Sequence, residues 1–291
     1  MQADQSIDQS FDALTSLNSG QAFLWEKKAD SWYGIDGEHI FKVSVRDKGI
    51  EFSSHPKCDS WEREFFRLDD SISEVRASLS FDPHLASLFN RYNGLRLLRQ
   101  DPEQCLFSFI CASNTNIPMI RRMLYGMAMK FGTRRKFDGH EFSTFPSASS
   151  INKASLPELQ SCGLGYRAKA VKAAAEKITD GTLDLKRLKH AGYADAKEQL
   201  LEVYGIGNKI ADCILLFSLD KLEAFPIDVW IARALQLNYA AALRDCKIGE
   251  KLTARQYETI SSKIRVYFGR YAGYAQQYLY YHARQSAGRR W

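Results

Sequence analysis

The first quarter of the chain alternates short runs of aromatic and β-branched residues with turn residues. Asp36-Gly37 and Asp47-Lys48-Gly49 supply residues that tolerate the positive φ of a hairpin connection. Short strands joined by such turns are typical of antiparallel pairing between chain neighbours. The pattern predicts an antiparallel sheet with strands at QAFLW (21–25), SWYGI (31–35), HIFKVSV (39–45) and IEFSS (50–54).

From about residue 59 the hydrophobic period changes to that of an α-helix. Asp101-Pro102, Pro118 and Asp228 lie where a cap or first turn belongs, and the serine-rich segment 145–157 is typical of a flexible connection. Helices are predicted over 59–67, 83–99, 102–112, 117–131, 166–178, 193–204, 208–218, 228–238, 253–268 and 273–285. The expected class is therefore α+β, with an N-terminal antiparallel sheet domain (1–95) packed on a mostly α-helical body (96–291).

Composition narrows the function only slightly. The 291 residues suffice for two domains, and 45% hydrophobic with 25% charged residues is ordinary for a globular protein. A formal net charge of +6 favours an anionic partner, but histone-like proteins are far more basic. Charge alone therefore does not decide what the protein binds.

The six cysteines are scattered, with no CxxC pair and no His/Cys cluster at ligand spacing. We therefore expect reduced thiols and neither a metal nor another cofactor. The start, MQADQSIDQSFDAL, is unlike a signal or transit peptide, and no apolar run approaches the roughly 20 residues that span a bilayer. The expectation is an intracellular protein without membrane contact, in the cytoplasm or nucleoid of a prokaryote or the nucleus of a eukaryote.

A glycine-framed turn at Tyr204–Asn208 separates two predicted helices. Gly205 and Gly207 permit positive φ and close backbone approach, and Asn208 is placed to cap the second helix. The first amides of that helix have no partners within it, so they could bind a phosphate oxygen. A helix–hairpin–helix for DNA and an ordinary αα-turn remain alternatives here.

Lys209 lies in the first turn of the second helix, where the helix dipole disfavours a positive charge. A partly desolvated neutral amine would be a nucleophile, whereas a solvated lysine touching a DNA phosphate is the commoner arrangement. Cys213 lies four residues on, so the amine and thiol can touch, which would stabilise a thiolate. The alternative for Cys213 is a small core residue.

Asp228 follows Phe225-Pro226-Ile227 and opens the next predicted helix, 19 residues after Lys209. Most aspartates in this setting are N-caps. However, the two helix starts could face one cleft, where a carboxylate could manage protons and stabilise a cationic sugar as a glycosidic bond breaks.

These features resemble the helix–hairpin–helix DNA glycosylase superfamily, and more narrowly its 8-oxoguanine DNA glycosylases. The iron–sulfur loop of adenine glycosylases is missing, and alkyladenine-removing members generally lack the lysine. The resemblance covers nearly the whole chain through SGQAFLW (19–25), LRLLRQDPEQCLFSFICASNTNI (95–117), GLGYRAKAV (163–171), GNKIADCILLFSLDK (207–221), FPIDV (225–229) and YAGYAQQYL (271–279).

The resemblance implies a role for each matching residue. Lys209 would attack C1′ of an extruded nucleotide and form a Schiff base, with Asp228 as catalytic carboxylate and β-elimination to follow. The Gly20 carbonyl would accept from N7–H, which 8-oxoguanine has and guanine lacks. Cys213 and Tyr280, where phenylalanine is commoner, would sandwich the base, and Gln276 would read its Watson–Crick edge.

The same resemblance implies which residues contact the DNA strand opposite the lesion. Asn114, Tyr166 and Arg167 match residues that fill the vacated stack and address the orphaned cytosine. Met119 stands where eukaryotic members carry an arginine for that cytosine, so weaker discrimination of the opposite base is expected. Trp230 stands where the family frequently has histidine. A phosphate or pocket contact made by that histidine is therefore not expected in this protein.

The resulting hypothesis is a monomeric, bifunctional glycosylase and lyase that acts on duplex DNA containing 8-oxoguanine. Two alternatives remain open at this point. One is a glycosylase for another oxidised or alkylated base, and the other is a non-catalytic DNA-binding module that uses the hairpin only to grip phosphates.

Overall fold

The N-terminal sheet is a meander of neighbouring antiparallel strands. The computed structural model describes residues 11–46, 49–249 and 251–288. The strands are β1 (Trp25–Lys28), β2 (Ser31–Asp36), β3 (His39–Arg46) and β4 (Gly49–His55), paired in that order. The antiparallel sheet is thus confirmed, whereas the predicted Asp47-Lys48 turn lies outside the described residues.

The first strand differs from its prediction. It begins at Trp25, although the Ile35 N–H of β2 still donates to the Leu24 carbonyl at 3.0 Å. The buried Gln21 amide donates to the Arg96 carbonyl at 2.9 Å and accepts from the Leu98 N–H at 2.8 Å. The hydrophobic run in this segment therefore belongs to the core.

Among the described residues the remaining regular elements are fifteen α-helices, one short β-hairpin and two short helical turns. A π-helical turn spans Gln160–Leu164 and a 3₁₀ turn spans Gly269–Tyr271. The hairpin consists of β5 (Arg134–Phe137) and β6 (His140–Ser143). The helices are α1 (Ala13–Leu17), α2 (Trp61–Phe65), α3 (Ile72–Leu79), α4 (Pro83–Arg91), α5 (Pro102–Cys111), α6 (Ile117–Phe131), α7 (Ala148–Lys153), α8 (Leu156–Leu159), α9 (Arg167–Thr179), α10 (Leu185–His190), α11 (Tyr193–Leu201), α12 (Asn208–Ser218), α13 (Val229–Asn238), α14 (Ala254–Phe268) and α15 (Ala272–Ser286).

The sheet packs on the helical body through a small aromatic core and polar contacts. The Phe41 ring stacks on Trp61 of α2, with ring centroids 3.9 Å apart. Gln104 of α5 donates to the Ile35 carbonyl at 2.7 Å and accepts from the Gly37 N–H at 2.9 Å. These contacts confirm the α+β class with a sheet seated on helices.

The larger core lies among the helices, with α12 at its centre. Residues 210–218 of α12 are all buried. Because α3 and α4 also contribute to this core, helices before residue 95 pack with α15 of the body. The domain boundary at 95/96 therefore stays a prediction.

The serine-rich segment 145–157 was expected to be flexible, and that prediction is wrong. Ser147 and Ser155 are N-caps, and their hydroxyls accept from the backbone N–H groups of Ser150 and Glu158. These caps start α7 and α8, and α7 packs on α9. Serine next to a buried apolar position here starts a helix instead of loosening the chain.

The predicted helix over 83–99 is too long. It ends at Arg91, and Gly94 adopts a φ of 92° that breaks the helical path. The following residues run extended through the core, where the Gln100 N–H donates to the Phe217 carbonyl at 2.9 Å. Five helices and one hairpin were not predicted at all, namely α1, α3, α7, α8, α10 and β5–β6.

Candidate active site

A cavity of about 670 Å³ opens where α5, α6, α12 and α15 meet the start of α13. It is called the base pocket below. Six of the residues singled out from the sequence line it, together with Trp230. They are Gly20, Lys209, Cys213, Asp228, Gln276 and Tyr280.

The two glycines of the hairpin, Gly205 and Gly207, differ in backbone conformation and in the space available for a side chain. Gly205 has a φ of 87°, and a Cβ there would lie 2.4 Å from the Ala170 Cβ on α9. Gly207 is an extended N-cap, and a Cβ there would meet nothing. Gly205 thus fixes the hairpin against α9, whereas Gly207 leaves the start of α12 open to a ligand.

The predicted cap of α12 is wrong. Gly207 is the N-cap, and Asn208 uses its side chain to donate to the Ala254 carbonyl at 3.4 Å. The first N–H groups of α12 therefore have no side-chain cap, which keeps them available for an anionic group.

Lys209 is half-buried in the first turn of α12. Its Nζ lies 5.4 Å from the centroid of the Phe109 ring, and Cys213 lies one turn further along the same face of α12. Asp228 lies close enough for the lysine charge to affect its titration. The amine thus has an aromatic ring, a thiol and a carboxylate around it.

Of the two alternatives for Cys213, burial favours the small core residue over the thiolate. Burial raises the pKa of this thiol to about 12, and the nearby Lys209 charge offsets only part of that rise. Cys213 is therefore a neutral thiol at physiological pH, and its contribution to the pocket is a polarisable surface.

Asp228 is both a helix cap and a member of the pocket. Its Oδ1 accepts from the Ile231 N–H at 2.9 Å, which starts α13. Burial raises the pKa of this carboxyl, while the Ile231 N–H and the charges of Lys209 and Arg284 act in the opposite direction. The cap orients the carboxylate in the wall of the pocket.

The loop before Asp228 is held by two side chains. Gln276 donates from Nε2 to the Pro226 carbonyl at 3.1 Å, and Tyr257 accepts from the Ile227 N–H at 3.1 Å. The Gln276 Oε1 is buried and accepts no hydrogen bond from any residue that the structure describes. An unsatisfied buried acceptor in a cavity wall favours a ligand that brings a donor.

Gly20 lies in a loop that buried glutamines hold in place. The Gln277 Nε2 donates to the Ser19 carbonyl at 3.0 Å, and the Gln100 Nε2 donates to the Gln21 carbonyl at 3.0 Å. Gly20 itself has a φ of 84°, which favours glycine. Within the described ranges nothing donates to its carbonyl.

Tyr280 and Trp230 form an aromatic side of the pocket with Arg284 between them. The Arg284 guanidinium carbon lies 5.8 Å from each ring centroid, and its Nη1 donates to the Tyr280 hydroxyl at 3.4 Å. Burial and the Asp228 charge raise the pKa of Tyr280, so its hydroxyl stays protonated. At this position, where histidine is frequent in the family that the sequence resembles, Trp230 contributes an aromatic ring to the pocket.

The remaining predicted residues lie outside the pocket, and we call Asn114, Met119, Tyr166 and Arg167 the outer rim. Asn114 is exposed in a left-handed turn with a φ of 47°. Arg167 stacks on Tyr166 at 4.5 Å and donates from Nε to the Ser113 carbonyl at 3.0 Å. Tyr166 is 63% exposed and Met119 is 38% exposed, so both offer apolar surface to a partner.

Comparisons with known proteins identify the family of this chain. A family model described as the N-terminal domain of 8-oxoguanine DNA glycosylase matches residues 6–106. Over 275 residues the chain is 32% identical to "N-glycosylase/DNA lyase OGG1" of Arabidopsis thaliana, covering 90% of this chain and 74% of that protein. The chain belongs to the 8-oxoguanine DNA glycosylase family. The family predicted from the sequence is thereby confirmed.

Solved structures of glycosylases share the fold. An 8-oxoguanine glycosylase/lyase of Clostridium acetobutylicum, in complex with duplex DNA containing cytosine opposite 8-oxoguanine, has a TM-score of 0.85 at 29% identity. The similarity covers 96% of this chain and 93% of that one. A 3-methyladenine DNA glycosylase of Archaeoglobus fulgidus has a TM-score of 0.70 at 22% identity, so it shares the fold alone.

Some pocket residues of this glycosylase were missed from the sequence. Arg284 lies four residues after Tyr280, so the same helical spacing that joined Gln276 to Tyr280 would have found it. Phe109 and Arg121 line the pocket from α5 and α6, and no local signal connects them to α12. Described residues include no group of three or more His, Cys, Asp or Glu arranged for a metal, and no described helix could span a membrane.

Proposed function

We propose that this protein excises 8-oxoguanine from duplex DNA and then cleaves the strand through a Schiff base at Lys209. The observation that carries the proposal is the meeting of an amine and a half-buried carboxylate, Lys209 and Asp228, in one pocket. Membership of the glycosylase family and the likeness to a structure containing lesion-bearing DNA support it.

Recognition would use the unsatisfied polar atoms of the pocket. The extruded base would stack between Cys213 and Tyr280. Gln276, whose Nε2 already donates one hydrogen to Pro226, presents the unsatisfied acceptor Oε1, which suits the N1–H and N2–H donors of a guanine-type edge. The Gly20 carbonyl would accept from N7–H, so guanine itself would leave that carbonyl without a donor.

The reaction would break the C1′–N9 bond and form a bond from C1′ to Nζ of Lys209. Asp228 would stabilise the positive charge that develops on the sugar, and the departing base would take up the proton that Nζ loses as it bonds to C1′. Ring opening converts the adduct to a protonated Schiff base. Loss of a C2′ proton then expels the 3′ phosphate by β-elimination, which makes the enzyme a lyase as well.

The hairpin and the outer rim would hold the DNA. The open start of α12 at Gly207 suits a phosphate oxygen, with Gly205 keeping the hairpin on α9. Asn114 and Tyr166 would fill the vacated stack, with Arg167 supporting them through Ser113. Because Met119 cannot donate hydrogen bonds, excision opposite cytosine would be favoured less than in members with arginine there. We expect the protein to act as a monomer.

Borohydride trapping tests the proposal. The wild-type protein should become covalently attached to a duplex containing 8-oxoguanine, because borohydride reduces the Schiff base. Lys209→Gln should give no adduct, whereas Lys186→Gln, at an exposed lysine of α10 outside the pocket, should trap normally. Absence of an adduct with the wild-type protein would exclude the mechanism.

A panel of duplexes with defined lesions and opposite bases separates the alternatives. Excision of 8-oxoguanine should exceed that of other oxidised and of alkylated purines. The proposed steps use only protein groups, so activity should persist in EDTA. Binding without excision of any lesion would instead indicate a DNA-binding module.

A further inference from the structure

A buried carboxylate lies beneath the helix that carries Lys209. Asp212 is fully buried and does not line the base pocket. The Tyr193 hydroxyl donates to its Oδ1 at 2.6 Å, and the Tyr257 hydroxyl donates to its Oδ2 at 2.7 Å. Lys197 lies 3.3 Å away and also pairs with Glu258 at 2.8 Å, which balances the buried charge.

The two tyrosines differ in the groups that donate to them. The Tyr193 hydroxyl accepts from the Lys197 Nζ at 3.0 Å, within the same buried cluster. The Tyr257 hydroxyl accepts from the Ile227 N–H at 3.1 Å, and Ile227 directly precedes Asp228. The Tyr193 hydroxyl therefore bonds only within the buried cluster, whereas the Tyr257 hydroxyl also bonds the loop that carries Asp228, the candidate catalytic carboxylate.

We infer that Tyr257 is a positioning residue that fixes Asp228 relative to Lys209. Its hydroxyl connects Asp212, three residues after Lys209 on α12, to the backbone immediately before Asp228. The two groups that must act together are thus joined by two consecutive hydrogen bonds through the core. The catalytic consequence of this connection rests on the function proposed above.

The connection suits a positioning role because every group in it is constrained. Ile227 is buried, so without the Tyr257 hydroxyl its N–H would have no solvent to replace the lost partner. Burial and the Asp212 charge raise the pKa of Tyr257 well above its ordinary value, which keeps the hydroxyl a donor to the carboxylate. Small displacements of a catalytic group can cost on the order of 100-fold in rate, so this anchoring would matter.

Two single-atom variants test the inference as a matched pair. Tyr257→Phe and Tyr193→Phe each remove one donor to Asp212 and one acceptor. Only Tyr257→Phe releases the backbone beside Asp228. Both variants should fold and melt within a few degrees of one another, because they lose equivalent buried hydrogen bonds.

Three measurements distinguish the pair. Single-turnover excision of 8-oxoguanine should fall about 10-fold or more in Tyr257→Phe and stay within about 3-fold of wild type in Tyr193→Phe. The dissociation constant for the lesion duplex should be unchanged in both. Amide hydrogen exchange at Ile227 should accelerate about 10-fold or more in Tyr257→Phe alone.

Equal rate losses in the two variants, equal exchange at Ile227, or a loss confined to DNA affinity would each overturn the inference. A wild-type protein that neither excises nor traps any lesion would instead overturn the proposed function. In that case exchange at Ile227, which needs no substrate, would still decide whether Tyr257 holds the loop.

Discussion

The base pocket and the outer rim differ in how firmly their residues are held. In the pocket, Asp228 caps α13, and the loop before it is fixed by Gln276 and Tyr257. In the rim, Tyr166 is largely exposed and Met119 is partly exposed, and the backbone N–H of Met119 donates to the cap of α6. The chemistry therefore rests on groups placed by several buried contacts, whereas the face for the opposite strand rests on a few surface contacts.

This difference predicts which positions tolerate amino-acid substitution. A buried residue in a connected set of hydrogen bonds cannot be replaced without leaving a donor or acceptor unpaired. An exposed residue such as Met119 can change while the fold stays intact. We therefore expect substitutions in the pocket to affect the rate of excision and those in the rim to affect the choice of opposite base.

The largest expected effect comes from Asp228→Asn. Loss of the carboxylate should slow single-turnover excision by about 100- to 10,000-fold, because the developing positive charge on the sugar loses its counterion. Asparagine is also a good N-cap, so the fold and DNA binding should be preserved.

Asp184→Asn is the matched control, since Asp184 caps α10 in the same way and lies outside the pocket. It should excise at the wild-type rate. Near-normal excision by Asp228→Asn would reduce Asp228 to a helix cap and remove the distinction between pocket and rim.

Gln276→Leu should produce the next largest effect. Removal of the free acceptor Oε1 should lower excision of 8-oxoguanine by about 10- to 100-fold, since the base donors would enter the pocket unpaired. The measurement is excision from a duplex with a single lesion.

Cleavage of DNA that already contains an abasic site serves as the control for this variant. No base occupies the pocket in that reaction, so its rate should stay within about 3-fold of wild type. Equal losses in both reactions would assign Gln276 only to anchoring Pro226.

Met119→Arg tests the rim. A correctly placed arginine contact to a base is worth roughly 1–3 kcal/mol, so the ratio of excision opposite cytosine to that opposite adenine should rise about 10-fold. Met129→Arg, at another exposed methionine of α6, should leave the ratio unchanged. A wild-type ratio already as high as in arginine-bearing members would contradict the prediction of relaxed discrimination.

The smallest effect is a shift in the pH profile of excision. Burial raises the pKa of Asp228, so its active carboxylate is lost at a higher pH than that of an ordinary aspartate. Lys209 and Arg284 oppose that rise, and Tyr280 is the other titratable group nearby. Arg284→Met should therefore raise the pKa further and move the acid limb to higher pH.

Arg284→Lys keeps the positive charge and should leave the limb in place. Loss of a neighbouring cation raises the pKa of a carboxyl, so the acid limb should move to higher pH in Arg284→Met and not in Arg284→Lys. A downward shift in Arg284→Met would therefore exclude Asp228 as the group that sets the limb.

Much of the fold could be predicted because its signals are local. The start of α12 near Asn208, the cap at Asp228 and the paired strands follow from periodicity, turn residues and caps over a few positions. The serine-rich segment failed because packing of α7 on α9 decides its order. The spacing of four residues that places Gln276 and Tyr280 on one face of α15 was also predictable. The same spacing places Arg284 on that face, but Arg284 was overlooked.

The sequence by itself determined which residue types could do the chemistry, since an amine in a first helical turn and an aspartate at a cap are visible in a linear pattern. Only the tertiary structure brought Gly20, Gln276 and Asp228 to one cavity, connected Tyr257 to the loop, and made Cys213 a neutral thiol. The physical reason is that desolvation and partner choice depend on neighbours distant in the chain, and no local pattern encodes their positions.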